Sequence, residues 1–140
     1  STDSITITIA KADNQNPTIT SLSSNASGNA IELKSSAKTQ TVVFTAVASD
    51  NVAIDSVSLS NATFSSSSNG TYTFTNEFDY DDYSYGSTTS SHVLSVTDAA
   101  GNSASATATV TVADLTGVAV QDIMITNAVY KQLKIEKWDY

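Results

Sequence analysis

Three short stretches of this chain carry oxygen-bearing side chains that their turns alone do not require: Asp13-Asn-Gln-Asn-Pro17, Asp50-Asn51 and Asp98-Ala-Ala-Gly-Asn102. A tight turn around Gly101 needs the glycine. It does not need an acid at one edge and an amide at the other. Carboxylates, amide oxygens and backbone carbonyls are the donors a hard cation selects, and calcium takes roughly six to eight of them at about 2.3–2.6 Å. Brought together, the three Asp and several Asn oxygens of these stretches would supply most of that set, and calcium is the cation whose chemistry they match. The same residue types also hydrogen-bond to the backbone of their own turns, and that alternative requires no ion.

A second unusual stretch runs from Asn76 to Gly86, where Glu77, Asp79, Asp81 and Asp82 are interleaved with Tyr80, Tyr83 and Tyr85. Tyr80, Asp81, Asp82, Tyr83 and Tyr85 are candidate ligand contacts. The tyrosine rings would stack on pyranose faces, or the carboxylates would hold a second cation. The alternative is a solvated loop whose rings cover the bottom of the fold. Enzyme chemistry is not expected. His92 is the single histidine, it sits in the middle of an alternating run at an inward position, and no supporting Ser or Asp motif accompanies it. There is no glycine-rich phosphate cradle. Sequons at Asn25, Asn61 and Asn69 are expected by chance in so hydroxyl-rich a chain, and matter only in a glycosylating host.

These residues must be positioned by strands. The chain has 140 residues, room for one domain and some extra. Ser and Thr together number 43, against only 5 Gly and 1 Pro, and the Thr and Val content favours strands over helices. Net charge is -8, which argues against nucleic acid, whose phosphates need basic patches. No apolar run approaches the length of a membrane span. Cysteine is absent, which removes disulfides and thiolate metal sites and leaves the compartment ambiguous. The chain opens at Ser1 without a methionine or a signal peptide, so a processed or excised piece is expected.

Alternation along the chain predicts the strands. Residues 18–23 read as an edge strand, followed by a loop containing Gly28. Thr39 to Ser49 reads as the clearest interior strand, with Val42, Phe44, Ala46 and Ala48 on one face. Ser56 to Ser60 and a short strand at 62–64 follow, and Ser65 to Gly70 reads as a turn. Thr71 to Phe78 places Tyr72, Phe74 and Phe78 inward. Residues 79–90 read as a loop, His92, Leu94 and Val96 face inward after it, and Ala104, Ala106, Ala108, Val110 and Val112 follow. About seven short strands between Pro17 and Asp114 predict an all-β immunoglobulin-like antiparallel β-sandwich, without the Cys…Trp…Cys signature of antibody domains. In that topology the loop at 50–53 and the turn at 98–102 emerge at the end where the chain enters at Pro17. The Tyr-rich loop belongs at the opposite end, beside Asp114.

The ends extend this domain. Ile5, Ile7 and Ile9 form one face of a strand, so residues 1–16 read as the last strand and linker of a preceding unit, before the sandwich at 17–114. Residues 115–140 read as a strand or hairpin segment that docks on a neighbour, because an isolated hairpin is marginal in water. Trp138, Lys131, Lys134 and Lys137 set it apart in composition.

Ser49-Asp-Asn-Val52, Asp13-Asn-Gln-Asn-Pro17 and Val96-Thr-Asp-Ala-Ala-Gly-Asn102 resemble the bacterial Ig-like and cadherin-like tandem repeats of surface adhesins and phage virion proteins, over roughly residues 13 to 113. The resemblance implies a non-enzymatic, extracellular, cell-surface or virion module acting as spacer and interaction domain. It also implies calcium at the end where linker, second-to-third-strand loop and last hairpin turn meet, with Asp13, Asn14, Asn16, Asp50, Asn51, Asp98 and Asn102 as the metal ligands. The cadherin-type linker has more acids before its proline than the single Asp13 here. Its partners would be neighbouring Ig-like domains or identical subunits. Two other functions fit the residues: a filament subunit assembled by strand addition, and a carbohydrate-binding module that holds a cell-surface glycan on the loop 79–86.

Overall fold

The computed structural model describes residues 12–114; the expected strand at Ile5, Ile7 and Ile9 and the segment at 118–140 lie outside the described residues. Eight strands follow in chain order: β1 (Thr18–Ser24), β2 (Ala30–Leu33), β3 (Thr39–Ser49), β4 (Ile54–Leu59), β5 (Thr63–Ser68), β6 (Thr71–Asp79), β7 (Gly86–Asp98) and β8 (Ser103–Asp114). Two single 3₁₀ turns, Ser27–Asn29 and Tyr80–Asp82, are the only helical pieces among the described residues. No helix there is long and apolar enough to cross a membrane.

The strands form two four-stranded sheets, ordered β1-β3-β6-β5 and β2-β8-β7-β4. This is the strand arrangement of an immunoglobulin constant domain, with its first strand divided between the sheets. The alternation of small and large apolar residues closes the space between them. Val42, Phe44, Ala46 and Ala48 of β3 and Phe74 and Phe78 of β6 meet Leu59, Leu94, Val96, Val110 and Val112, and all are buried. The outward positions of β7 and β8 are almost entirely Ser and Thr, whose branched or short polar side chains suit a solvated pleated face.

Four sequence expectations are corrected. The region after Gly28 is not only a loop: Ile31 and Leu33 are buried in β2, which pairs in parallel with β8. The second sheet is therefore mixed rather than purely antiparallel. A four-residue strand that pairs with a partner 81 positions away leaves little local pattern. The serines at 65–68 continue β5 as an exposed edge strand, and the turn is confined to Asn69-Gly70. Solvated edges tolerate a polar run that propensity assigns to a loop. The Tyr-rich loop is shorter than residues 79–90, because β7 begins at Gly86. Ala104, Ala106 and Ala108 do face inward, yet remain only half-buried.

The β5–β6 hairpin supplies one prediction. Asn69 and Gly70 have φ of 48° and 75°, the left-handed pair that a two-residue hairpin turn requires. A Cβ at Gly70 would meet the Ala48 carbonyl oxygen at 2.9 Å. Gly70→Ala is therefore expected to cost about 1–3 kcal/mol, combining the strained φ with that clash. A fall in the urea midpoint checks it, and an unchanged or raised midpoint would refute it.

Candidate metal centre

Register brings the three acidic stretches together. Thr18 pairs with Ser49, which sets the linker before Pro17 against the loop that follows β3. Ile54 pairs with Asp98, and the Ala99 N–H donates to the Ala53 carbonyl, which sets that loop against the β7–β8 turn. Pro17 is buried and anchors the entering chain.

One carboxylate oxygen each of Asp13, Asp50 and Asp98 then lies within 4.8 Å of the others. Asp13 and Asp50 are half-buried and Asp98 is only 2% exposed. Each acid is held by its own turn. The Val52 and Ala53 N–H groups donate to Asp50 Oδ2 at 2.8 and 3.1 Å. The Gln15 N–H and the Asn51 side-chain amide donate to Asp13 Oδ1 at 3.1 and 3.2 Å. The N–H groups of Ala100 and Asn102 donate to Asp98 Oδ1, both at 2.8 Å. Asn102 Nδ2 donates to Asp98 Oδ2 at 2.7 Å and reaches the Asp13 carbonyl at 3.5 Å. Gly101, at φ 91°, closes this turn in a conformation that L side chains rarely adopt.

These hydrogen bonds satisfy four of the six carboxylate oxygens and leave two. Asp13 Oδ2 and Asp50 Oδ1 are buried and accept no hydrogen bond. A buried carboxylate oxygen without a donor carries a desolvation cost, and three carboxylates at this spacing repel one another. A bound cation would offset both. Two oxygens on one calcium ion lie at most about 5 Å apart, so oxygens within 4.8 Å of one another are close enough to share one.

The other sequence-predicted ligands divide. Asn14 and Asn51 line a cleft of about 130 Å³ with Ala12, Asp13, Gln15 and Val52. Asn102 stands at the site as a bridge between Asp98 and the linker, with its amide nitrogen turned to both. Asn16 is exposed and outside that cleft lining. Gln15 lines it without having been expected to, since a glutamine within a linker carries no sequence signal of its own.

Burial pushes the Asp98 carboxyl up, but the Asn102 side chain and the backbone N–H groups of Asn102, Ala100 and Gly101 outweigh it and hold its pKa below the usual value. Its contribution to stability is then complete above the unfolded carboxylate pKa of about 3.9 and is lost as pH falls through the lower native value. In metal-free buffer the urea midpoint should fall as pH is lowered below about 4. Asp98→Asn should flatten that fall, and equal slopes for the two proteins would contradict the assignment.

At the opposite end, Gly86 pairs with Asp114, so the Tyr-rich loop lies beside the end of β8. Its residues have separate tasks. Asp79 caps the 3₁₀ turn by accepting the Asp81 N–H at 2.9 Å. Asp81 pairs with Lys38 Nζ at 2.7 and 3.1 Å, on the surface. Tyr80 and Tyr83 pack against the core, Tyr83 with its ring 6.2 Å from Phe78. Burial, then the Asp82 charge, pushes the Tyr83 phenol up. Tyr85 is 53% exposed. His92 is fully buried and hydrogen-bonded at both nitrogens, to the Ser60 carbonyl at 3.0 Å and Ser90 Oγ at 3.1 Å.

Comparison of the chain with known protein families, curated proteins and solved structures returned no match.

Proposed function

We propose that this chain is a non-enzymatic structural module of an extracellular, cell-surface or virion fibre, whose junction with the preceding unit is stiffened by a bound calcium ion. The observation that carries the reading is the pair of buried, undonated oxygens Asp13 Oδ2 and Asp50 Oδ1, set beside Asp98 on three different chain segments. Asp13 belongs to the linker, while Asp50 and Asp98 belong to the sandwich. An ion held by all three therefore ties the entering chain to the domain. Asn102 already makes a weaker version of that tie through the Asp13 carbonyl. The uncharged Ser and Thr outer faces suit a spacer that remains soluble without attracting partners along its length.

Limited trypsin digestion tests the stiffening. Lys11 lies two residues before Asp13, so cleavage after it reports on the linker. Calcium should slow this cleavage relative to chelator, because cleavage follows local opening. Asp50→Ala should abolish the difference. Equal cleavage rates for the unaltered chain in calcium and chelator would refute the reading.

A further inference from the structure

We propose that the cleft between the Tyr-rich loop and the start of β7 is a binding site for a neutral hexopyranose. Asp82, Tyr83, Ser84, Tyr85, Ser87 and Thr88 line a cleft of about 430 Å³, within the roughly 300–1,000 Å³ range of small-ligand sites. It lies at the end of the domain remote from Asp13, Asp50 and Asp98, and stands independently of the calcium reading.

The lining has the chemistry a pyranose requires. A sugar presents C–H groups on one face and hydroxyls around its edge. Tyr85 is half-exposed beside the cleft, where a rigid ring can cover the C–H face at little entropic cost. Ser84, Ser87 and Thr88 both donate and accept, as sugar hydroxyls do. Asp82 supplies a charged acceptor, the stronger kind of partner for a hydroxyl donor. Asp82 is also uncommitted: it takes part in no hydrogen bond or ion pair among the described residues, whereas its neighbour Asp81 is held by Lys38.

The frame around the cleft is fixed before any ligand arrives. Tyr83 rests on Phe78, the Asp79 cap holds the 3₁₀ turn, and Ser87 and Thr88 belong to β7 opposite Ala113 and Val112 of β8. Charge selects among sugars. Glu77, Asp79, Asp81 and Asp82 surround the loop with Lys38 as the cation paired there, which disfavours uronates, sialates and sugar phosphates. The structure thus revises the set expected from sequence. Tyr80 and Asp81 serve the loop's own architecture, while Asp82 and Tyr85 face the ligand with three hydroxyl residues that sequence gave no reason to select.

The test is a ¹H–¹⁵N NMR titration of the full 140-residue chain with the methyl pyranosides of glucose, galactose and mannose, each read also by saturation transfer. Expected are shifts at Ser84, Tyr85, Ser87 and Thr88 for at least one of the three, with affinity on the order of millimolar, as one ring and a few hydrogen bonds provide. Tyr85→Ala should weaken it about tenfold, and Asp82→Asn should weaken it while the spectrum stays folded. Asp50→Ala should leave it unchanged. No shift with any of the three, shifts elsewhere on the domain, or an affinity indifferent to both Tyr85→Ala and Asp82→Asn would overturn the proposal. Shifts produced at these residues by calcium chloride alone, with none from the sugars, would overturn it as well.

Discussion

His92→Ala should remove about 3–5 kcal/mol of stability, a large share of the roughly 5–15 kcal/mol that holds a domain folded. The ring is fully buried between the sheets, with Phe44 at 4.4 Å and Phe78 at 6.1 Å between ring centroids. Truncation leaves a cavity where those rings met. It also strands two polar groups. The Ser60 carbonyl can only accept, so in the neutral ring Nδ1 carries the proton donated to it, and Nε2 takes that of Ser90. The Ser60 bond joins the end of β4 to β7, alongside the Ser60 N–H to Val93 carbonyl bond at 3.0 Å and the Val93 N–H to Ser60 Oγ bond at 2.8 Å. His92→Phe retains most of the volume and loses only the hydrogen bonds, so it should cost less, about 1–3 kcal/mol. Urea unfolding of both variants separates cavity from polar terms. A loss below about 1 kcal/mol for His92→Ala would show that the ring is not the keystone of this contact.

The fold was legible where alternation was strong. Thr39 to Ser49 coincides with β3, and its inward set Val42, Phe44, Ala46 and Ala48 is buried, because a period of two leaves no other arrangement once one face is apolar. The inward place of His92 was legible for the same reason. β2 was not: Ile31 and Leu33 gain their meaning only from Val112 and Asp114, far along the chain. The serines of β5 were hidden because an edge strand carries no apolar requirement.

The candidate site was half legible. Asp13, Asp50 and Asp98 share turn chemistry that any sequence displays, and strand order predicted the end at which they gather. Which oxygens remain undonated depends on individual rotamers and backbone N–H directions, as at Asp13 Oδ2 and Asp50 Oδ1. No spacing rule reaches that. The Lys38 pairing that separates Asp81 from Asp82 spans 43 positions and left no trace in the sequence.

The second large effect concerns the ion. If the proposed site binds calcium with an affinity of about 10⁻⁴–10⁻³ M, about 10 mM calcium stabilises the native state by about 1.4–2.7 kcal/mol through mass action. For a domain of this size that raises the melting temperature by roughly 6–20 °C. Asp50→Ala should remove the effect by deleting a proposed ligand whose second oxygen serves only its own turn. Asn16→Ala should leave the effect in place, since Asn16 stands outside the cleft. The decisive measurement is a thermal melt of the 140-residue chain and its Asp50→Ala variant, each in calcium and in chelator. A calcium-dependent rise in the unaltered chain that disappears in Asp50→Ala is the predicted result, and identical melting temperatures for the unaltered chain in calcium and chelator would contradict a cation centre at Asp13, Asp50 and Asp98.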